Sequence, residues 1–398
     1  MTSPVAARIQ RYTTTIAPVL RFLMDSPYAH RDVALPHADL ALGNPHEMPL
    51  PGIVDALQGW AVPQHKDWYA YTMNLPEAQA VVATSLRERV GVAFAADDIH
   101  LTNAAFAALS VALNAVVDPG DEVIFISPPW FFYEMMIQSV GGVPVRVRID
   151  PRTFDLDLAA IEAALSPRTR AIIVNSPNNP TGKIYPASTL AALGQLLEAA
   201  SQRHGRAIYL LSDESYSRIV FDGRQFASPT QFYPNTLLLY TYGKTLLAPG
   251  QRIGYIALPP SMPHRAAIGQ AINRAQIALG WAFPNALLQH ALPDLEKLSV
   301  DIGRLQARRD RLVSELTVMG YEMTTPEGTF YSMVRAPIAD DEAFAQRLGE
   351  ARVYVLPGTV VEMPGYFRLS VTASDEMIDF ALPVFARIRE QALQAATL

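Results

Sequence analysis

The chain has 398 residues, more than one small domain needs and enough for two closely joined lobes. Half of the residues are hydrophobic and 18% are charged, so a large buried core is available. The 32 basic side chains are outnumbered by 38 acidic ones, the net charge is −6, and no basic run marks a nucleic-acid footprint. With no cysteine, disulfides, thiolate nucleophiles and cysteine-held zinc are excluded.

The first 26 residues lack a charged start, an unbroken apolar stretch and a small-residue cleavage site, so no secretion signal is expected. No apolar run approaches the ~20 residues of a membrane span, and a soluble, cytoplasmic protein is expected. Ile9, Ile16, Val19, Leu20 and Leu23 predict a helix over 5–25. Residues 36–52, around Gly43-Asn44-Pro45, read as loop. Residues 78–90 and Ala105–Val117 predict helices, the second ended by Asp118-Pro119-Gly120. Short apolar runs then predict strands at Glu122–Ile126, Ala171–Asn175, Ile208–Ser212, Thr236–Tyr240 and Ile253–Leu258. A long helical segment follows from about 285 to Met319. Strands at Gly328–Val334, Tyr354–Leu356 and Phe367–Val371 and a helix near 375–395 complete the chain.

Apolar strands without polar alternation, separated by helices, imply an α/β fold with a mostly parallel sheet covered on both faces. Ligands of such sheets bind beyond the carboxyl ends of the strands. Asn179, Asp213 and Lys244 each fall just after a predicted strand. Residues 48–285 are expected to form a large domain, and 1–47 with 286–398 a smaller α+β domain.

Lys244 follows a buried strand, where partial desolvation lowers an amine's pKa and makes it a better nucleophile toward an aldehyde; a surface lysine at a loop start is the plainer reading. Arg252, in Pro249-Gly250-Gln251-Arg252, sits where its fork can grip a phosphate, and Thr241 can add a hydroxyl. A salt bridge from Arg252 to a carboxylate is equally open. Asp213 ends an apolar strand, and a buried carboxylate needs a cation. A protonated pyridine nitrogen would serve, with Tyr216 near the ring's phenolic oxygen. A helix cap by Asp213 and a packed Tyr216 is the alternative. Asn175-Ser176-Pro177-Asn178-Asn179-Pro180-Thr181-Gly182 fixes an irregular turn at a strand end.

NSPNNPTG, SDESY and YGKTLLAPGQRIGY, in this order and at these separations, resemble the class I/II aminotransferases that depend on pyridoxal 5′-phosphate (PLP). The resemblance extends from Gly43-Asn44-Pro45 to Phe367-Arg368-Leu369-Ser370. It implies PLP fold type I, with a seven-stranded-type sheet between helices. It also implies that Lys244 forms the internal Schiff base and shuttles the proton, while Asp213 binds the pyridine nitrogen. Asn179 and Tyr216 would bind the ring oxygen, Arg252 and Thr241 the phosphate, and Arg368 the substrate α-carboxylate. Leu101–Phe106 resembles the phosphate-cradling helix start, placing Ala104 and Ala105 at the phosphate. Here Ala104 stands where glycine is usual, and Phe106 where a polar donor is frequent. Trp130 matches the aromatic that stacks on the ring. Tyr69 resembles the tyrosine that reaches the neighbouring subunit's phosphate, although Asn74 replaces the glycine usual after it. Gly43 and Asn44 would lie beside the substrate carboxylate.

The implied function is transfer of an amino group between an L-amino acid and a 2-oxo acid by a homodimer, with no metal. A PLP-dependent lyase or synthase on the same scaffold is the alternative. A dinucleotide-binding dehydrogenase is disfavoured because no GxGxxG follows the first strand. A catalytically dead regulatory domain is disfavoured by the intact Lys244, Asp213 and Arg368. The uncharged segment Ala275–Leu288, with Trp281 and Phe283, points to an apolar or aromatic substrate pocket, or to aromatics that only support the domain junction.

Overall fold

Seven short segments pair into one sheet in the computed structural model, which describes residues 4–396. They are β1 Ile99–Thr102, β2 Glu122–Ser127, β3 Val143–Arg148, β4 Thr169–Asn175, β5 Tyr209–Asp213, β6 Thr236–Thr241 and β7 Gly254–Ala257. The order across the sheet is β1-β7-β6-β5-β4-β2-β3, and β7 alone runs against its neighbours. Each central strand is apolar on both sides because both faces are covered. Val123 and Phe125 of β2 point into a cluster with Ala108, Leu109 and Ala112 of the helix Ala104–Val116. Ile124 and Ile126, one residue out of phase, join Leu190, Leu193 and Leu197 of the helix Ala187–His204 on the opposite face. Each fully buried leucine there contributes about 1.5–3 kcal/mol over leaving it in water.

Two strands escaped the sequence pattern for physical reasons. β3 reads VPVRVR and is half exposed at the sheet edge, so it alternates apolar and charged residues instead of forming an apolar run. β1 is four residues long and carries the buried His100, held by Asn273.

A second, antiparallel sheet joins β8 Tyr331–Arg335, β9 Leu356–Pro357 and β10 Tyr366–Ser370 in the order β9-β10-β8. Its core holds Leu312, Leu316, Phe344, Phe367, Leu369 and Phe385, from these strands and three helices. The strand expected over Tyr354–Leu356 is divided. Val353–Tyr354 pairs in parallel with Ala38–Asp39, and Leu356 belongs to β9. The helix expected over 5–25 breaks at Ile16 into Ala7–Thr15 and Ala17–Asp25, with Pro18 in the second helix's first turn, where its missing N–H costs nothing. The helix expected from 285 to Met319 is also two, Ala286–Leu295 and Ile302–Val318. Asp301 caps the second, accepting from the Arg304 amide at 2.9 Å.

The helix Ala286–Leu295 buries Leu288, Leu292 and Leu295 with Leu101, Leu238 and Tyr255 of the large sheet. Leu298 packs on that cluster, whereas Val300 belongs to the small-sheet core. We propose that the large domain extends through this helix and that the chain changes lobes between Leu298 and Val300.

Candidate active site

A cavity of about 230 Å³ opens beyond the carboxyl ends of β4, β5 and β6, where a mostly parallel sheet leaves its strand ends free. Its lining gathers Gly43, Asn44, Ala104, Ala105, Trp130, Asn179, Asp213, Tyr216, Thr241, Lys244, Arg252 and Arg368. Of the residues expected to hold the cofactor or the substrate carboxylate, Tyr69 is the one absent from this wall. Its side chain is exposed, and its hydroxyl donates to the Ala61 carbonyl.

Asp213 closes β5 and is buried. One carboxylate oxygen accepts from the Tyr133 hydroxyl at 2.7 Å, the other from the Ser215 hydroxyl at 2.5 Å and the Ser215 amide at 3.2 Å. These neutral donors fix the carboxylate without discharging it, which leaves it suited to a cationic ring nitrogen. Asn175, at the end of β4, ties the layer together. Its amide group donates to the Asp213 carbonyl at 2.8 Å, and its side-chain oxygen accepts from the Asn179 amide at 2.7 Å. The neighbouring Glu214 is fully buried, and burial pushes its carboxyl up to about 7 against the hydrogen bonds of Ser228 and Ser212.

Lys244 lies in the short helix Tyr242–Thr245 directly after β6, half-buried, with its amine 5.6 Å from the centre of the Tyr216 ring. Thr241 caps that helix, accepting from the Gly243 amide at 3.2 Å. Arg252 stands at the exposed rim, bonded to the Pro249 carbonyl at 2.6 Å. The helix Ala104–Val116 starts on the same side, and its N-cap Asn103 makes no side-chain capping bond. First-turn N–H groups have no partner within a helix, so this start offers anion-binding donors. Ala104 adopts φ 66°, the left-handed region that glycine enters freely, which accounts for glycine being usual at this position. A Cβ on the facing Gly254 would lie 2.9 Å from the Ala104 Cα and 2.2 Å from the Tyr240 carbonyl. The backbone here is too close-packed to relax.

Arg368, on β10, is 1% exposed. Its fork donates to the Asn179 side-chain oxygen at 2.8 Å and to the Ala41 carbonyl at 2.9 Å, while Nε is buried without a partner. Among the described residues neither Arg252 nor Arg368 pairs with a carboxylate. The salt bridge left open for Arg252 is therefore not made.

Five further residues complete the site. Tyr133 and Asn175 order Asp213. Phe106 meets Trp130 edge-on at 4.9 Å, and with Phe131 these rings make one aromatic wall of the cavity. Tyr331 lies beneath Arg368. Trp281 and Phe283, by contrast, are partly exposed and outside the lining, although the Trp281 carbonyl accepts from Asn103 at 3.2 Å.

A large mostly parallel sheet, with a lysine just past one strand, a buried aspartate closing another and two arginines free of carboxylates around one cavity, fits the class of group-transfer enzymes. The chain belongs to the aminotransferase class I and II family, whose model matches residues 38–385, and it is an aminotransferase. It is 36% identical over 336 residues to an aspartate/prephenate aminotransferase of Thermus thermophilus, covering 82% of this chain and 85% of that protein. It is 31% identical over 363 residues to an aspartate/prephenate aminotransferase of Cereibacter sphaeroides, covering 85% and 88%. Among solved structures, an aminotransferase of Eubacterium rectale superposes with a TM-score of 0.86 at 30% identity, covering 98% of this chain and 96% of that one. The aspartate aminotransferase of Thermus thermophilus with maleate superposes at 0.83 and 29% identity, covering 97% and 100%.

Proposed function

We propose that this aminotransferase binds PLP in the cavity described above and moves an amino group from an L-amino acid to a 2-oxo acid. The observation that carries this reading is the donor set. An amine, a buried carboxylate and two arginines without carboxylate partners line one small space. That set matches the aldehyde, the ring nitrogen, the phosphate and a substrate carboxylate in turn. Bound there, PLP supplies an aldehyde and a protonated ring that takes up the electron pair left when a Cα–H bond breaks.

The chain's own residues do the rest. Lys244 holds the cofactor through its amine and, once displaced by the amino acid, moves the Cα proton. Asp213, kept in place by Tyr133 and Ser215, holds the ring nitrogen in its protonated form. Tyr216 and Asn179 hold the ring oxygen. Arg252, Thr241 and the Ala104–Ala105 helix start hold the phosphate. Trp130 covers the ring face. Arg368 takes the α-carboxylate with two N–H groups, beside Gly43 and Asn44. Exposed Tyr69, turned away from its own cavity, supports a homodimer in which it serves the neighbouring site.

The relatives' names point to aspartate as an amino donor and to prephenate, a 2-oxo acid, as an acceptor, each with a second carboxylate. The cavity favours a different side chain. Among the described residues of this chain the lining has no cation beyond Lys244, Arg252 and Arg368, and Phe106, Trp130 and Phe131 form an apolar wall. A donor with an apolar or aromatic side chain fits that wall better.

The test is to reduce the purified, cofactor-loaded enzyme with borohydride and map the modified peptide. A pyridoxyl adduct on Lys244 is expected, with Lys244→Ala abolishing both adduct and turnover. An adduct on another lysine would end the assignment. Comparing aspartate with phenylalanine as donor to 2-oxoglutarate then decides the side-chain class: a higher kcat/KM for aspartate would remove the apolar reading.

A further inference from the structure

We propose that Tyr331 is a positioning residue of this active site, one that holds the Arg368 fork open for a carboxylate and ties it to Tyr216 and the Gly43 backbone. The proposal rests on the active-site reading above and adds a residue that none of the sequence motifs contains.

A fully buried guanidinium needs compensation for its lost hydration. A carboxylate partner would provide it, but would occupy the N–H groups that a substrate carboxylate must use. Arg368 has only the neutral oxygens of Asn179 and Ala41 on its fork. The face of the Tyr331 ring lies 3.9 Å from its guanidinium carbon, well inside cation–π range. A ring face offsets positive charge while leaving every N–H edge free, and Nε is indeed unpartnered.

The phenol oxygen gives the ring a fixed place. It lies beside the Tyr216 hydroxyl and the Gly43 backbone. Gly43 packs so closely that a Cβ there would come within 2.5 Å of it. The Tyr216 and Tyr331 rings meet edge-on at 5.9 Å. The charged and titratable groups around the oxygen are Lys244, Arg368 and Tyr216, with Asp213 acting on Tyr216 from farther off. Burial opposes ionisation of Tyr331, but Lys244, Arg368, the Tyr216 hydroxyl and the Gly43 amide outweigh it and bring this phenol below its usual value. Burial, Tyr331 and Asp213 instead drive Tyr216 upward. The hydroxyl therefore joins the carboxylate grip to the groups that face the cofactor.

Two variants of the full-length, cofactor-loaded enzyme test this. Tyr331→Leu removes ring and oxygen, and Tyr331→Phe removes only the oxygen. Binding is read with a non-reacting carboxylate, 3-phenylpropionate or maleate, by calorimetry. Tyr331→Leu is expected to weaken that binding about tenfold or more, with cofactor affinity within about threefold. Tyr331→Phe is expected to keep binding within about threefold but to move the alkaline limb of the kcat/KM pH profile by about half a unit or more. If Tyr331→Leu does not fold, Tyr331→Met, which keeps the bulk but removes the ring face, replaces it with the same expected loss. Unchanged carboxylate binding in the ring-deleting variant, or an unmoved pH profile in Tyr331→Phe, would overturn the proposal. Failure of borohydride to label Lys244 in the wild type would instead fault the active-site reading beneath it.

Discussion

Arg252 and Arg368 face the same cavity but are built in opposite ways. Arg252 stands on an exposed loop, bonded to one carbonyl three residues back, among several other anion donors from Thr241 and the helix start at Ala104. Arg368 is sealed inside, held by two oxygens from distant parts of the chain and a ring beneath it. The difference teaches where redundancy lies. A dianion spread over many donors survives the loss of one, whereas a carboxylate gripped by one buried fork does not.

The sharpest way to break this contrast is Arg368→Ala. Losing one partner of a buried charged contact costs about 3–5 kcal/mol, so kcat/KM should fall by roughly a hundredfold or more through KM for the amino acid. Cofactor affinity, measured by absorbance titration, should stay within about threefold. Arg252→Ala should do the reverse and more gently. A charge-assisted hydrogen bond is worth about 1.5–3 kcal/mol, so cofactor affinity should drop about tenfold or somewhat more, with KM little changed once cofactor is saturating. Equal effects of both variants on KM would dissolve the distinction. The smallest effect belongs to the backbone beside Arg252. Ala104→Gly relieves a left-handed alanine and should stabilise the fold by up to about 1 kcal/mol, raising Tm by about 1–2 °C in a chain of this size. A fall in Tm would mean that the entropy of an added glycine outweighs the strain.

Lys244, Asp213 and Asn179 were legible because Asp213 closes an apolar strand and the other two follow within four residues of one, a place where a polar residue is conspicuous. Arg368 was legible only through the family resemblance, since one arginine within Phe367-Arg368-Leu369-Ser370 carries no local signal of burial. Tyr331, Tyr133 and Asn175 escaped for related reasons. Tyr331 opens a strand whose pattern reads as ordinary core, and Tyr133 closes an aromatic run where packing is the natural expectation. Asn175 reads as a strand terminus, and its bond to the Asp213 carbonyl is visible only once β4 and β5 are aligned. The fold was readable at the longer apolar strands buried on both faces, but not at the four-residue β1 with its buried His100. Nor was it readable at the half-exposed edge strand β3, or where single residues such as Ile16 or Val355 interrupt a continuous apolar pattern.

The amino-terminal arm bridges two bodies. Its first helix rests on the large-sheet side, where Thr15 donates to Gln138 at 3.0 Å, and its last residues are stitched to Val353–Tyr354 beside the small sheet. The stitched end runs straight into Ala41 and Gly43, which touch Arg368 and Tyr331. One continuous strap thus runs from a helix seated on the large-sheet side to the carbonyl that holds the buried guanidinium, so the two bodies share a covalent anchor at the cavity wall.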